Sequence, residues 1–128
     1  MRRQPERAEQ RAIVQLLGHV GCRTWVLGTT RRRGDYHGTM QTPGVPDVVA
    51  HLPDGGGVLF VEAKAPGGRM RPEQRDFREL CLLCKSPFGV HHVVGGLDAV
   101  IAYLVRLGLL RPEQVAHYRV TSAKLEAS

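Results

Sequence analysis

The sequence predicts an α/β fold, a mixed β-sheet flanked by helices in the order α-β-β-β-α-β-α. Two stretches near the ends of the predicted core place apolar residues at helical spacing. Short apolar and β-branched segments, bounded by glycine and proline, lie between them and are typical of strands. The last β-α-β unit favours a parallel, right-handed crossover, which makes the sheet mixed.

Each element has boundary signals in the sequence. Pro5 is accepted in the first turn of a helix, and the glycines after residue 17 loosen and end that helix. Pro72 opens another helix in the same way. Residues 28–44 form a polar, basic loop that is long for a compact domain, and such loops are usually functional or mobile. The predicted elements are a helix over 5–19, strands over 22–27, 47–52 and 58–64, a helix over 72–84, a strand over 88–94 and a helix over 97–107.

Length and composition favour one globular domain. The chain has 128 residues, of which 42% are hydrophobic and 23% charged, and this suits a single core. We therefore expect one domain over residues 1–128, with a core at about 5–107 and a C-terminal extension over 108–128. No apolar run approaches the roughly 18 residues that a membrane span needs, and the N-terminus does not resemble a signal peptide. A soluble intracellular protein with no membrane partner is expected.

The charge balance points to a polyanionic partner. The formal net charge is +6, and 15 of the 18 basic residues are arginine. A guanidinium group matches pairs of phosphate oxygens, so this bias suits nucleic acid. GC-rich coding would produce the same bias, since glycine, alanine and valine are also abundant and asparagine is absent. Composition alone does not separate these two explanations.

The cysteines allow two interpretations. Cys81 and Cys84 have C-x-x-C spacing and are followed by two histidines, as in a zinc site. They also continue the helical spacing of Phe77 and Leu80, which is typical of an apolar stripe. Because free cysteine is a common core residue, we favour buried structural thiols.

The strongest chemical signal lies on the second and third predicted strands. Asp47 begins one strand, and Glu62 and Lys64 point to the same face of the next. A hairpin turn near Gly55 would place the two acids opposite each other, with Cβ atoms about 4.5–5.5 Å apart. Such a pair can hold Mg²⁺ or Mn²⁺, aided by the backbone carbonyl of Ala63.

This arrangement suits phosphodiester hydrolysis. A metal bound by the two acids would activate water and polarise a phosphate, while Lys64 would orient the water or offset charge on the phosphate. The alternative is that Glu62 and Lys64 are polar residues on a solvated strand face. An HNH nuclease is disfavoured by the absence of asparagine. A phosphate-binding P-loop is also absent, because the glycines at 55–57 are not followed by Gly-Lys-Ser/Thr.

These residues carry a family resemblance. Gly44-x-Pro46-Asp47, then Phe60-Val61-Glu62-x-Lys64, then Gln74, resemble the VRR-NUC family, a branch of the PD-(D/E)xK nuclease superfamily. The resemblance runs from about residue 5 to residue 107. The motifs are specific in combination, although each is weak alone. The implied fold is restriction-endonuclease-like.

The resemblance adds two residues to the site. Gln74 matches a glutamine at the start of the helix after the lysine strand, and it is expected to brace the metal site or its water. The family also has a helix-borne glutamate before the first strand. Glu6 is preferred for this role because Glu6, Gln10, Ile13 and Leu17 follow one helical stripe, and Glu9 is the alternative. Either acid is also explained as a solvated first-turn residue that favours the helix dipole.

The resemblance further implies a Mg²⁺- or Mn²⁺-dependent DNA endonuclease that leaves a 5′-phosphate. The chain resembles the small stand-alone phage and bacterial members of the family, which dimerise and cut branched DNA such as Holliday junctions. This implies a homodimer, a role in DNA repair, and a cytoplasmic location in a bacterial or phage-infected cell. Flap or duplex DNA is an alternative substrate. A non-catalytic DNA-binding subunit of the same fold is the alternative of another class.

DNA contact is expected from arginines near the site. Arg31, Arg32 and Arg33 lie on the long loop, and Arg69 and Arg71 follow the lysine strand. They would bind phosphate and confer little sequence preference. A solvated surface run is the alternative for these residues.

Overall fold

The computed structural model describes residues 3–27, 44–65, 67–84 and 89–118, with side chains from residue 7 onward. The helices are α1 (Arg3–His19), α2 (Pro72–Leu83) and α3 (Leu97–Arg106), and the strands are β1 (Arg23–Val26), β2 (Val48–His51), β3 (Val58–Ala63) and β4 (Val90–Gly95). A short 3₁₀ turn (Pro53–Gly55) joins β2 to β3, and residues 112–118 are helical. The predicted element order is confirmed.

The four strands form one mixed sheet in the order β1-β2-β3-β4. Neighbouring strands are antiparallel from β1 to β3, and β3 pairs with β4 in parallel. The β2–β3 register pairs Val48 with Val61, one residue away from the pairing expected for a turn centred on Gly55. Continued by one residue, this register brings Asp47 beside Glu62. The hairpin therefore delivers the two predicted acids to the same place.

One face of the sheet forms the main core with α1 and α3. Alternation along β3 sends Leu59, Val61 and Ala63 to this face, and all three are fully buried. The helices contribute residues at helical spacing, as the sequence predicted. These helix residues, all at most 2% exposed, are Ile13, Leu16, Leu17, Val100, Ile101 and Leu104.

Helix α2 packs on the opposite face, above β3 and β4. The ring of Phe77 contacts Phe60 and His92, with ring centroids 5.1 Å and 5.4 Å apart. Cys81 is buried as predicted, but Cys84 is exposed, so the prediction of a buried thiol is wrong there. The spacing alone did not decide burial, since Leu80 of the same stripe lies inside the helix and is also 64% exposed. Among the residues described, no cluster of three metal-ligating side chains is found.

The loop before β2 is locked against the first turn of α2. Gly44 has φ +93°, and a Cβ added there would lie 2.6 Å from the carbonyl oxygen of Glu73. Only glycine accepts both this backbone conformation and this approach. The glycine of the Gly44-x-Pro46-Asp47 motif therefore brings the loop that carries Asp47 onto α2.

No helix in the described parts of the chain is long and apolar enough to cross a membrane.

Gly44→Ala tests the close approach of Gly44 to the backbone of Glu73. We expect a loss of about 1–3 kcal/mol of folding stability, because a strained φ is combined with a clash against backbone. Gly55→Ala is the matched control, since Gly55 also has positive φ (+72°) but nothing within 4 Å of an added Cβ. Thermal or denaturant unfolding would measure both variants. An equal loss in the two would show that conformation alone requires Gly44.

Candidate active site

The β2–β3 hairpin places the carboxyl groups of Asp47 and Glu62 within hydrogen-bonding reach of each other. Asp47 lies just before β2, where its Oδ2 accepts a hydrogen bond of 2.9 Å from the backbone N–H of Ala63. Its own backbone carbonyl accepts one of 2.7 Å from Leu27. These two bonds hold the aspartate in place across three neighbouring strands.

Glu62 is buried, and its contacts with other described residues leave one carboxyl oxygen without a hydrogen bond. Its side chain is 4% exposed, and Oε1 has no hydrogen-bond partner among the described residues. Burial, followed by the negative charge of Asp47, raises the pKa of Glu62 to about 8. Burial also raises the pKa of Asp47. A buried carboxylate without a partner is costly, so this pair must hold either a proton or a cation.

Two cations lie around the pair. The charges of Lys64 and Arg71 both act to lower the pKa of Asp47 and of Glu62, although burial outweighs them at both carboxyls. The backbone N–H of Lys64 donates to the carbonyl of Gly95 at 3.0 Å, which ties the end of β3 to the end of β4. The predicted acids and lysine therefore converge at one end of the sheet.

Pro46 explains how the Ala63 carbonyl can serve this site. In the continued register, Ala63 faces Pro46, and proline has no N–H to donate to that carbonyl. Strand β2 therefore has no backbone N–H at this position to donate to the Ala63 oxygen. The Ala63 N–H is taken instead by the Asp47 side chain.

Gln74 is fixed at the start of α2 and is only 2% exposed. Its Oε1 accepts a hydrogen bond of 2.8 Å from the backbone N–H of Arg71, which caps the helix. The same bond is made in the second Arg-Pro-Glu-Gln segment, from Arg111 N–H to Gln114 Oε1 at 2.9 Å. Capping therefore accounts for the oxygen of Gln74, and its amide group remains for the predicted bracing role.

Glu9 is the helix-borne acid that the structure places near Lys64. Its Oε1 accepts a hydrogen bond of 2.6 Å from the backbone N–H of Leu97, at the start of α3. A Cβ at Gly96 would lie 2.5 Å from this oxygen, so only glycine leaves room for the carboxylate. Glu9 and Lys64 line one pocket of about 320 Å³.

The sequence favoured Glu6 on helical spacing, and a contact across 88 residues such as Glu9–Leu97 leaves no local signal in the sequence. The side chain of Glu6 lies outside the described residues, so its role stays a prediction. Arg31, Arg32 and Arg33 also lie outside them. Arg69 and Arg71 are described and exposed, and the charge of Arg71 acts on both acids. Contact of these two arginines with phosphate stays a prediction.

The raised pKa of Glu62 predicts a stability that falls with pH in chelator-treated protein. The folded state holds the proton up to pH about 8, whereas the ordinary value is 4.5. Stability is therefore highest at low pH and is lost as pH rises through this interval, on the order of 1 kcal/mol per pH unit. Melting curves between pH 5.5 and 8 would measure it.

Glu62→Gln should flatten this dependence and raise the melting temperature at pH 8, because the side chain stays neutral. Glu113→Gln is the control, since Glu113 is exposed and paired with Arg111. An unchanged pH slope in Glu62→Gln would mean that Glu62 is not the titrating group.

Comparison with known proteins agrees with this geometry. No curated protein and no solved structure matches the chain. The model of the VRR-NUC domain family matches residues 3–95, which include both acids, the lysine and the capping glutamine. This match covers well over half of the chain, which therefore belongs to the VRR-NUC family of nuclease domains.

Proposed function

We propose that the protein is a Mg²⁺- or Mn²⁺-dependent endonuclease that hydrolyses phosphodiester bonds in branched DNA. The observation that carries this proposal is the pair of carboxyl groups of Asp47 and Glu62, with Lys64 beside them. A domain that only binds DNA has no need of two buried acids that repel phosphate. Family membership supports the same chemistry.

The donor set fits a divalent metal. Glu62 Oε1 is buried without a hydrogen-bond partner among the described residues, and Asp47 lies next to it. The carbonyl of Ala63 adds a third oxygen, and such ligands suit a hard cation. A bound ion would supply an activated water and charge stabilisation for the phosphate.

The chain itself supplies position and charge. Asp47 is held by Ala63, so its carboxylate needs no reorganisation to bind. Lys64 carries the cation that offsets negative charge developing on the phosphate. The side-chain NH₂ of Gln74, whose Oε1 is held by the cap of α2, would orient a water for the reaction.

Branched DNA, such as a Holliday junction, is the proposed substrate, and a homodimer is the proposed assembly. A two-fold dimer presents two sites to two strands, which a symmetric junction requires. Large apolar side chains exposed on α2 support association with a second copy. These are Leu80 and Leu83, which lie on one side of the helix and are 64% and 69% exposed.

A cleavage assay tests the activity. A labelled four-way junction and a linear duplex are incubated with protein in Mg²⁺, Mn²⁺ or EDTA. We expect cutting only with metal, and faster on the junction. Glu62→Gln should reduce cutting at least a thousandfold while leaving junction binding in Ca²⁺ nearly intact.

Three outcomes would contradict parts of this proposal. Full activity in EDTA would contradict the proposed metal dependence. Equal cutting rates on the junction and the linear duplex would favour the alternative of a nuclease that acts on plain duplex DNA. Binding without cutting in every metal would favour a non-catalytic DNA-binding subunit.

The homodimer is tested separately by light scattering. We expect twice the monomer mass of 14.1 kDa. The double change Leu80→Glu/Leu83→Glu should yield monomers, because it places charge in the proposed apolar contact. Leu82→Glu is the matched control and should stay dimeric, since Leu82 is equally exposed but lies on another side of the helix. A wild-type protein that is monomeric at micromolar concentration would overturn the assembly.

A further inference from the structure

Helix α2 presents three arginines on one side. Arg71 caps the helix, and Arg75 and Arg78 follow at i+4 and i+7, so their side chains lie in a row. All three are exposed. The buried residues of the helix, Gln74 and Cys81, lie about a quarter of a turn away. The row therefore lies along a flank of α2 and not on its outermost surface.

The flank that carries the arginines lies on the side of β4, the last strand of the sheet. Glu73 lies on the other flank, where it contacts Gly44 and the loop that leads into β2. Arg78 lies near His92 on β4: burial, followed by the charge of Arg78, lowers the pKa of His92 to about 4. The row thus runs along the side of the molecule on which the sheet ends.

The row runs between the candidate active site and α3. At one end, Arg71 acts on the two acids of the candidate active site. At the other end, burial raises the pKa of Tyr103, and the charges of Arg106 and Arg78 partly offset this. The guanidinium of Arg106 lies 5.5 Å from the centroid of the Tyr103 ring. Tyr103 therefore lies near both Arg78 of the row and Arg106 of α3.

These charges are available to a ligand. In the described ranges, the one close ion pair is Arg111–Glu113, so none of the arginines of α2 is held by a carboxylate in a direct ion pair. Arg71 and Arg78 are seven residues apart, which is about 10 Å along the helix. One DNA strand advances about 3.4 Å per phosphate, so this length covers roughly three phosphates.

We propose that Arg71, Arg75 and Arg78 form an arginine track that binds the DNA backbone leading away from the scissile phosphate. The track runs from the acids along α2 to the edge of β4, and Arg106 extends it. It deepens the proposed function, on which it rests, by assigning the path of the substrate strand. Its contacts are to phosphate, so it adds affinity and not sequence preference.

The double variant Arg75→Ala/Arg78→Ala tests the track. Binding of a four-way junction is measured by fluorescence anisotropy in Ca²⁺ across a series of KCl concentrations. We expect at least a tenfold higher Kd, since each lost contact is a charge-assisted hydrogen bond. The slope of log K against log salt should fall by about 2, close to 0.9 per lost phosphate contact.

Arg111→Ala is the matched control. Arg111 opens the same Arg-Pro-Glu-Gln sequence and caps its segment in the same way, but its side chain pairs with Glu113 away from the acids. We expect wild-type affinity and slope from this variant. An equal loss in both variants would mean that general charge, not the track, sets the binding.

A substrate change gives a second, independent readout. Neutral methylphosphonate linkages are placed at successive phosphates on either side of the cut. They should weaken wild-type binding on one side more than on the other, and the double variant should lose this asymmetry. Unchanged asymmetry, or unchanged affinity and slope, would overturn the track.

Failure of the track differs from failure of the proposed activity. A wild-type protein that binds junctions with a steep salt dependence and never cuts them would overturn the nuclease and leave the track intact. A double variant that keeps wild-type affinity would overturn the track, whether or not the protein cuts DNA.

Discussion

The pairing of β2 with β3 is the constraint on which the site depends. Their register brings Asp47 beside Glu62, so two like charges are held together where water is scarce. Neither acid can swing away, since Asp47 is bound to Ala63 and Glu62 lies within a strand. The fold thus holds two carboxylates in mutual repulsion, which a bound proton or metal ion relieves. The charges of Lys64 and Arg71 reduce this repulsion without removing it.

Different sides of helix α2 have different roles. One side packs Gln74, Phe77 and Cys81 against the sheet, and another carries the arginines. Its first turn is held in two ways, by the Gln74 cap and by the close approach of Gly44. The helix start therefore has a fixed position relative to the acids. Such pre-organisation is what a catalytic site requires from its scaffold.

Local patterns in the sequence predicted most of the fold. Helical spacing, strand alternation and glycine or proline boundaries identified the elements, and the hairpin predicted that Asp47 and Glu62 would meet. Cys84 was misassigned, because helical spacing shows which residues share a side of a helix and not how much of that side is covered. The Glu9–Leu97 bond had no sequence signal, since it depends on how α1 and α3 pack. The raised pKa of Glu62 could not be predicted from the sequence either, because it results from burial, and burial is a property of the assembled sheet.

The Glu9 carboxylate at the start of α3 has an effect on how a polyanion meets this surface. Helix N-termini attract phosphate, and a free one beside Lys64 would offer a polyanion a second place to bind. Glu9 already accepts the Leu97 N–H at that end, and Gly96 leaves room for its carboxyl group to approach the backbone. The start of α3 is thus occupied by an acid of the same chain, which makes it less attractive to phosphate than a free helix end.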